Sequence, residues 1–134
     1  MVVLKPTTAP SLKKRGVYKK VIIVSIRTSL NNIFLTALTK RGSVLFWTSA
    51  GGSGFKGPRR ATPLAAEQTG RRLSDRLQAA GFGPLVVKIY SVYGPRAKAA
   101  LKGLSHSDRI SIRSIQLFPP HSHNGLRMKK LRRV

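Results

Sequence analysis

The chain has 134 residues, of which 26 are lysine or arginine and only three are acidic, so its formal net charge is +23. So large an excess indicates an anionic polymer as partner, because the cations repel one another until they displace counterions from a polyphosphate. The absence of cysteine excludes disulfides, zinc–thiolate sites and thiol nucleophiles. Hydrophobic residues make up 41% of the chain, which is enough for one domain with a packed core.

The distribution of charge predicts three parts. Residues 1–16 form a basic N-terminal arm, residues 17–120 a single α/β RNA-binding domain, and residues 121–134 a basic C-terminal tail. Residues 1–20 also resemble a transit peptide in being basic and free of acids. Two prolines argue against an amphipathic helix there, and we favour an RNA-contacting arm. No apolar run approaches the ~20 residues that span a bilayer, so we expect no membrane partner.

The first half of the domain predicts an antiparallel meander of three strands. Val21 to Ile26 is β-branched and apolar on both faces, as in a central strand. Turns at Asn31-Asn32 and Arg41-Gly42 separate it from strands over residues 33–39 and 44–49.

The second half predicts two helices that alternate with two strands. Thr62-Pro63 is a typical helix start and Gly81 a typical stop. Gly94-Pro95 opens a second helix between strands over residues 85–92 and 110–118. The residues expected on the buried stripe of the first helix are Ala66, Thr69, Leu73, Leu77 and Ala80, and those of the second are Ala97, Ala100, Leu101 and Leu104.

In the last strand the apolar phase switches between Ile112 and Ile115, which predicts a β-bulge or a strong twist. The order is β-β-β-α-β-α-β, and strands joined through helices pair in parallel by right-handed crossovers. The predicted fold class is therefore α/β, a mixed five-stranded sheet with helices packed on it and basic extensions at both ends.

A flexible, glycine-rich and basic loop spans residues 50–61. It lacks the spacing of a nucleotide-binding P-loop. Glycines permit close approach of a phosphate backbone, the cations neutralise it, and the following helix adds its positive dipole end. The cations are Lys56, Arg59 and Arg60. The alternative is a solvated linker.

The three acids are too dispersed for a metal-dependent nuclease. Glu67 and Asp75 lie eight positions apart on one predicted helix, and we expect them to pair with neighbouring arginines, while Asp108 lies elsewhere. His121 and His123 without a nearby carboxylate make an incomplete metal site. We therefore expect no catalytic residue, metal or cofactor.

Three aromatic residues are candidates for stacking on bases. Strand alternation sends either Phe46 or Trp47 into the core, and Phe55 is placed to anchor the loop on the domain.

The tail alternates basic with apolar residues, as expected of a segment that threads into folded RNA. Within it, Asn124-Gly125 is a candidate for isoaspartate formation, because glycine lets the backbone nitrogen attack the asparagine side chain.

The string from Ser49 to Ala66 closely resembles the bacterial-type small-subunit ribosomal protein eleven family, as do Leu30 to Ile33, Gly94-Pro95-Arg96 and His123-Asn124-Gly125. The resemblance implies a structural protein of the small-subunit platform. Its implied partners are small-subunit rRNA, neighbouring platform proteins and mRNA near the exit path. Carried over residue by residue, the RNA-contact candidates are Asn31, Asn32, Lys56, Gly57, Arg59, Arg60, Arg96, Asn124, Gly125 and Arg127. The basic residues Lys13, Lys14, Arg15, Lys98, Lys129, Lys130, Arg132 and Arg133 complete the predicted RNA-binding set.

The chain also departs from the family pattern. Ser91 to Arg96 replaces a Gly-Pro-Gly-Pro-Gly-Arg stretch, Ser122-His123 interrupts a Pro-His-Asn-Gly element, and helix acids typical of the family are missing. Such divergence favours a mitochondrial ribosome, with a plastid or bacterial one as the alternative. A free nucleic-acid chaperone or nucleoid protein is the competing function.

Overall fold

The computed structural model describes residues 21–133, and the predicted contacts Lys13, Lys14 and Arg15 lie outside these residues. The described part forms one five-stranded mixed sheet with two α-helices, which confirms the predicted fold class. No helix within it is both long enough and apolar enough to cross a bilayer. In chain order the elements are β1 (Ile22–Thr28), β2 (Ile33–Leu38), β3 (Val44–Ser49), a short 3-10 helix (Gly57–Ala61), α1 (Pro63–Ala79), β4 (Pro84–Ile89), α2 (Pro95–Leu104) and β5 (Ser111–Leu117).

The spatial order of the strands is β3-β2-β1-β4-β5. β1 pairs antiparallel with β2 and parallel with β4, so it lies at the centre, as its β-branched apolar sequence predicted. β2 pairs antiparallel with β3, and β4 pairs in parallel with β5. Strands β1, β3, β4 and β5 therefore all run in the same direction, and β2 alone opposes them.

Both helices pack on the same face of the sheet. The chain leaves β3 for β4 through α1 and leaves β4 for β5 through α2, and both crossovers progress in the same direction across the sheet. Right-handed connections of this kind must lie on one side. Between helices and sheet lies a continuous apolar core, which includes Ile22, Val24, Ile26, Ile33, Leu35, Leu73, Leu77, Leu85, Val87, Ile89, Ala97, Ala100 and Leu104.

The predicted bulge is present in β5. Leu85 pairs with Ile112 but Val86 pairs with Ser114, so Arg113 has no partner residue in β4. After this extra residue, the β5 position on the helix side of the sheet is Ile115. One predicted core position is wrong. Ala80 is exposed, because it caps the end of α1 and lies beyond the last turn that faces the sheet.

The two helices approach each other closely at two glycines. A Cβ placed on Gly70 would lie 2.5 Å from the carbonyl oxygen of Ala100, and one placed on Gly103 would overlap the carbonyl oxygen of Glu67. Both obstacles are helix backbone, which cannot move aside as a flexible side chain can. The close approach of the two helices therefore requires glycine, whose side chain is a single hydrogen atom, at both positions.

We expect Gly103→Ala to destabilise the domain by about 1–3 kcal/mol, because the added methyl group forces the two helices apart in a packed core. Urea unfolding followed by circular dichroism measures the effect. Gly51→Ala is the matched control, since its Cβ meets nothing closer than 3.8 Å. Equal unfolding midpoints for the two variants would contradict the prediction.

Candidate nucleic-acid interface

The parallel strands bring most of the predicted contacts to one end of the sheet. The carboxyl ends of β1, β3, β4 and β5 lie together, because these strands share one direction. From this end, here called the carboxyl end, emerge the β1–β2 turn, the loop over residues 50–61, the segment that leads into α2, and the tail. In open α/β sheets, ligands bind at the carboxyl ends of the strands.

The glycine-rich loop is held by short-range hydrogen bonds. The Ser49 hydroxyl accepts from the Gly52 amide at 3.1 Å, and the Phe55 amide donates to the Ala50 carbonyl at 3.2 Å. Gly54 has φ +95° and Gly57 has φ +53°, conformations that favour glycine. Phe55 packs against the core, which confirms its predicted role as the anchor of the loop.

The basic residues of this loop point to solvent just ahead of a helix start. Lys56, Arg59 and Arg60 are all exposed. Thr62 caps α1 by accepting a hydrogen bond from the Ala65 amide at 3.3 Å, as predicted, and donates to the Arg59 carbonyl at 2.7 Å. These bonds hold the backbone at Arg59 next to the positive end of the helix dipole.

Two arginines of α1 join this basic surface. Arg72 donates to the Gly52 carbonyl and Arg76 donates to the Trp47 carbonyl at 3.5 Å, so both side chains reach the loop and β3. The sequence prediction did not include them as contacts. Their spacing of four residues on one exposed helix face was the available signal.

The β1–β2 turn is tied to the start of α2. Arg96 donates to the carbonyls of Ser29 at 2.6 Å and Leu30 at 3.2 Å. Asn32 stabilises the turn, since its side-chain oxygen accepts from the Ile33 amide at 2.9 Å, whereas Asn31 is exposed. Among the predicted contacts here, Arg96 and Asn32 therefore have structural roles as well.

Lys98 lies one turn into α2 and is exposed, with its ammonium 5.6 Å from the centre of the Tyr93 ring. This cation–π contact holds the charge at the carboxyl end.

The structure describes residues 121–133 of the predicted tail, and this segment contains no helix or strand. Its side chains are exposed throughout, including apolar ones such as Leu131 at 97%. Asn124 has φ +68° and Gly125 has φ +32°, so the backbone turns at this pair. Arg127, Lys129, Lys130, Arg132 and Arg133 all lie in this exposed segment.

The acids do not assemble into a site. Glu67 pairs with Arg71 at 2.8 Å and with Lys102 at 3.7 Å, which confirms the predicted pairing and joins α1 to α2. The same prediction is wrong for Asp75, which is exposed and forms no ion pair with any residue between 21 and 133. Asp108 lies in the α2–β5 connection, at the opposite end of the sheet.

Comparison with known proteins identifies the family. The family model described as "Ribosomal protein S11" matches residues 22–133. The small ribosomal subunit protein uS11 of Saccharophagus degradans is 36% identical over 132 residues, 97% of this chain and 98% of that protein. The protein of the same name from Ruthia magnifica is 36% identical over 128 residues, 93% and 97% of the two chains. The uS11c protein of Chlorella vulgaris is 37% identical over 112 residues, 84% and 85% of the two chains.

The chain therefore belongs to the ribosomal protein S11 family. Membership makes it a structural component of the small ribosomal subunit and not an enzyme.

We expect Arg96→Gln to lower the free energy of unfolding by about 1 kcal/mol, because the charged donor to two turn carbonyls is lost from a partly exposed site. Arg109→Gln removes the same charge from an exposed side chain that makes no ion pair with residues 21–133, and it should leave stability unchanged. Thermal unfolding compares them, and hydrogen exchange at the β1–β2 turn should accelerate in Arg96→Gln alone. Equal melting temperatures would show that Arg96 does not hold the turn.

Proposed function

We propose that the protein binds small-subunit rRNA through the carboxyl end of its sheet and thereby helps to build the platform near the mRNA exit path. One observation carries this proposal. The glycine-rich loop, the β1–β2 turn, the start of α2 and the tail meet at one end of the sheet, and none of these segments contains an acid.

The mechanism is neutralisation and clamping by a preorganised surface. The loop cations and the α1 dipole meet phosphates, while the glycines Gly54 and Gly57 allow the backbone to approach them closely. Arg72 and Arg76 extend the positive surface along α1. Because the loop and the turn are already hydrogen-bonded, little ordering entropy opposes binding at this end.

The tail adds a second mode of binding. Its apolar side chains Leu126, Met128 and Leu131 are 87–97% exposed, which is unfavourable in water alone. Between them stand basic residues suited to phosphates. We infer that the tail inserts between rRNA segments and neighbouring platform proteins, where both kinds of side chain are covered.

We propose that the ribosome to which this protein belongs is the mitochondrial one. The relatives above are chloroplast and bacterial proteins, and the support for a mitochondrial origin is the departure of residues 91–96 and 121–131 from the family pattern.

The loop charges provide the direct test. We expect replacement of Lys56, Arg59 and Arg60 by Gln to weaken binding to a platform rRNA fragment and to reduce the slope of log affinity against log salt by about 2–3, since each lost phosphate contact removes roughly 0.9. The matched control replaces Lys40, Arg41 and Arg109 by Gln. These residues are exposed at the opposite end of the sheet, and their loss changes the net charge equally.

The same two variants separate a ribosomal role from a free chaperone. In extracts of purified mitochondria, the native chain and the control variant should sediment with the small subunit through a high-salt wash, and the loop variant should be released. Spreading of the native chain over all nucleic acid would favour the chaperone, and its absence from organelle fractions would refute the proposed compartment.

The Asn124-Gly125 pair is proposed as a site of isoaspartate formation. The pair is exposed and turns the backbone, so the glycine nitrogen is unhindered and water can open the succinimide. Mass spectrometry of the tail peptide from aged protein should detect deamidation at Asn124, and Gly125→Ala should slow it. An unmodified mass after prolonged incubation would contradict this.

A further inference from the structure

The sheet has a second face, opposite the helices, and no residue between 21 and 133 packs over it. On β1 the side chains Ile22, Val24 and Ile26 are buried under the helices, so alternation turns Ile23, Ser25 and Arg27 outward. The strand registers extend this surface across the sheet. This surface, here called the open face, consists of Ile23, Ser25, Arg27, Phe34, Thr36, Leu38, Val44, Trp47, Val86, Lys88, Tyr90, Ser114, Gln116 and Phe118.

A hollow of about 430 Å³ lies on β1 and β2, lined by Ser25, Arg27, Phe34, Thr36 and Leu38. Arg27 stands directly opposite Phe34 in the register, and Ser25 directly opposite Thr36. The hollow thus combines an aromatic ring, a guanidinium group and two hydroxyls. These groups match the needs of a nucleotide: a ring on which a base can stack, hydroxyls that can exchange hydrogen bonds with the base edge, and a cation for the phosphate.

A second aromatic platform lies just beyond the carboxyl ends of β4 and β5. The rings of Tyr90 and Phe118 stack at 5.1 Å between centroids, with an angle of 16° between their planes. The Lys88 ammonium lies 5.8 Å from the centre of the Phe118 ring. In the register, Lys88 neighbours Ser25 of the hollow, so the two sites are continuous.

Trp47 provides a fourth exposed ring, on the edge strand opposite Thr36, with 64% of its surface exposed. Aromatic residues are costly to leave in water, and here four of them share one face.

The charges of the open face indicate which class of partner fits it. Its cations are Arg27 and Lys88, and the five strands contain no acid. An apolar protein segment would bury these cations unpaired, which is strongly unfavourable. Unpaired nucleotides present flat bases together with phosphates. The span from β2 to β5 is three strand spacings, about 14 Å. The aromatic-bearing four-stranded sheet of the RNA-recognition motif, a different fold, stacks two or three bases across the same number of spacings.

We propose that the open face binds unpaired nucleotides of RNA by base stacking. This site adjoins the clamp at the carboxyl end, since Tyr90 and Phe118 directly follow the last residues of β4 and β5. It differs from the clamp in chemistry, because it recognises bases and not only the backbone.

The single tryptophan of the chain lies on this face and reports binding there directly. The probe is an oligoadenylate of about ten nucleotides, within the range of aromatic-lined surfaces. The comparison probe is an abasic sugar–phosphate oligomer of the same length and charge. At ~0.2 M salt, which weakens backbone contacts, oligoadenylate should quench Trp47 fluorescence and bind at least tenfold tighter than the abasic oligomer.

The combined variant Phe34→Leu, Phe118→Leu keeps apolar volume but removes two rings. It should lose about tenfold in oligoadenylate affinity for each ring. Phe34→Tyr, Phe118→Tyr is the matched control, since it keeps an aromatic ring at both positions and should retain the affinity. Circular dichroism verifies folding, and the single variant Phe34→Leu substitutes if the combined one is unstable.

Equal affinity for the abasic oligomer, unquenched Trp47, or undiminished binding by the ring variants would each overturn the proposal. None of these outcomes affects the rRNA clamp, because its test depends on the loop cations and on a folded rRNA fragment.

Discussion

The handedness of the two crossovers determines most of what this molecule presents to a partner. The helical crossovers make β3, β4 and β5 run in one direction, and the two hairpins give β1 that direction too. Right-handed connections of this kind put both helices on one face of the sheet. The alignment brings the glycine-rich loop, the start of α2 and the tail to one end. The one-sided helix layer leaves the other face of the sheet exposed. Two surfaces of different chemistry therefore follow from one topological constraint, and the contact of α1 with α2 at Gly70 and Gly103 maintains it.

Charge is distributed so that little of it is neutralised within the chain. In the described part, ion pairs involve only Glu67, which joins the two helices. At the carboxyl end, arginines instead donate to backbone carbonyls, as Arg72 does to Gly52 and Arg96 to Ser29. Such bonds hold a side chain in place and leave its positive charge uncompensated. The surface is thus preorganised for an anion and destabilised by its own repulsion until that anion arrives.

This arrangement explains how a protein without an active site contributes to a ribosomal subunit. RNA folding is opposed by the repulsion between phosphates of adjoining helices. A rigid domain with cations at one end and an extended basic tail reduces that repulsion at defined positions. The open face adds stacking, which depends on bases and retains its strength as salt rises.

The class of partner, the element order and the loop chemistry could be read from the sequence, because each depends on composition or on local pattern. The strand phases of β1 and β5, the cap at Thr62 and the anchoring by Phe55 are local in this sense. The tertiary structure alone decided that Arg72 and Arg76 reach the loop, that Arg96 holds a turn 66 residues away in sequence, and that four aromatic rings share one face. These depend on strand order and crossover handedness, and no local pattern of residues encodes which distant segments those place side by side.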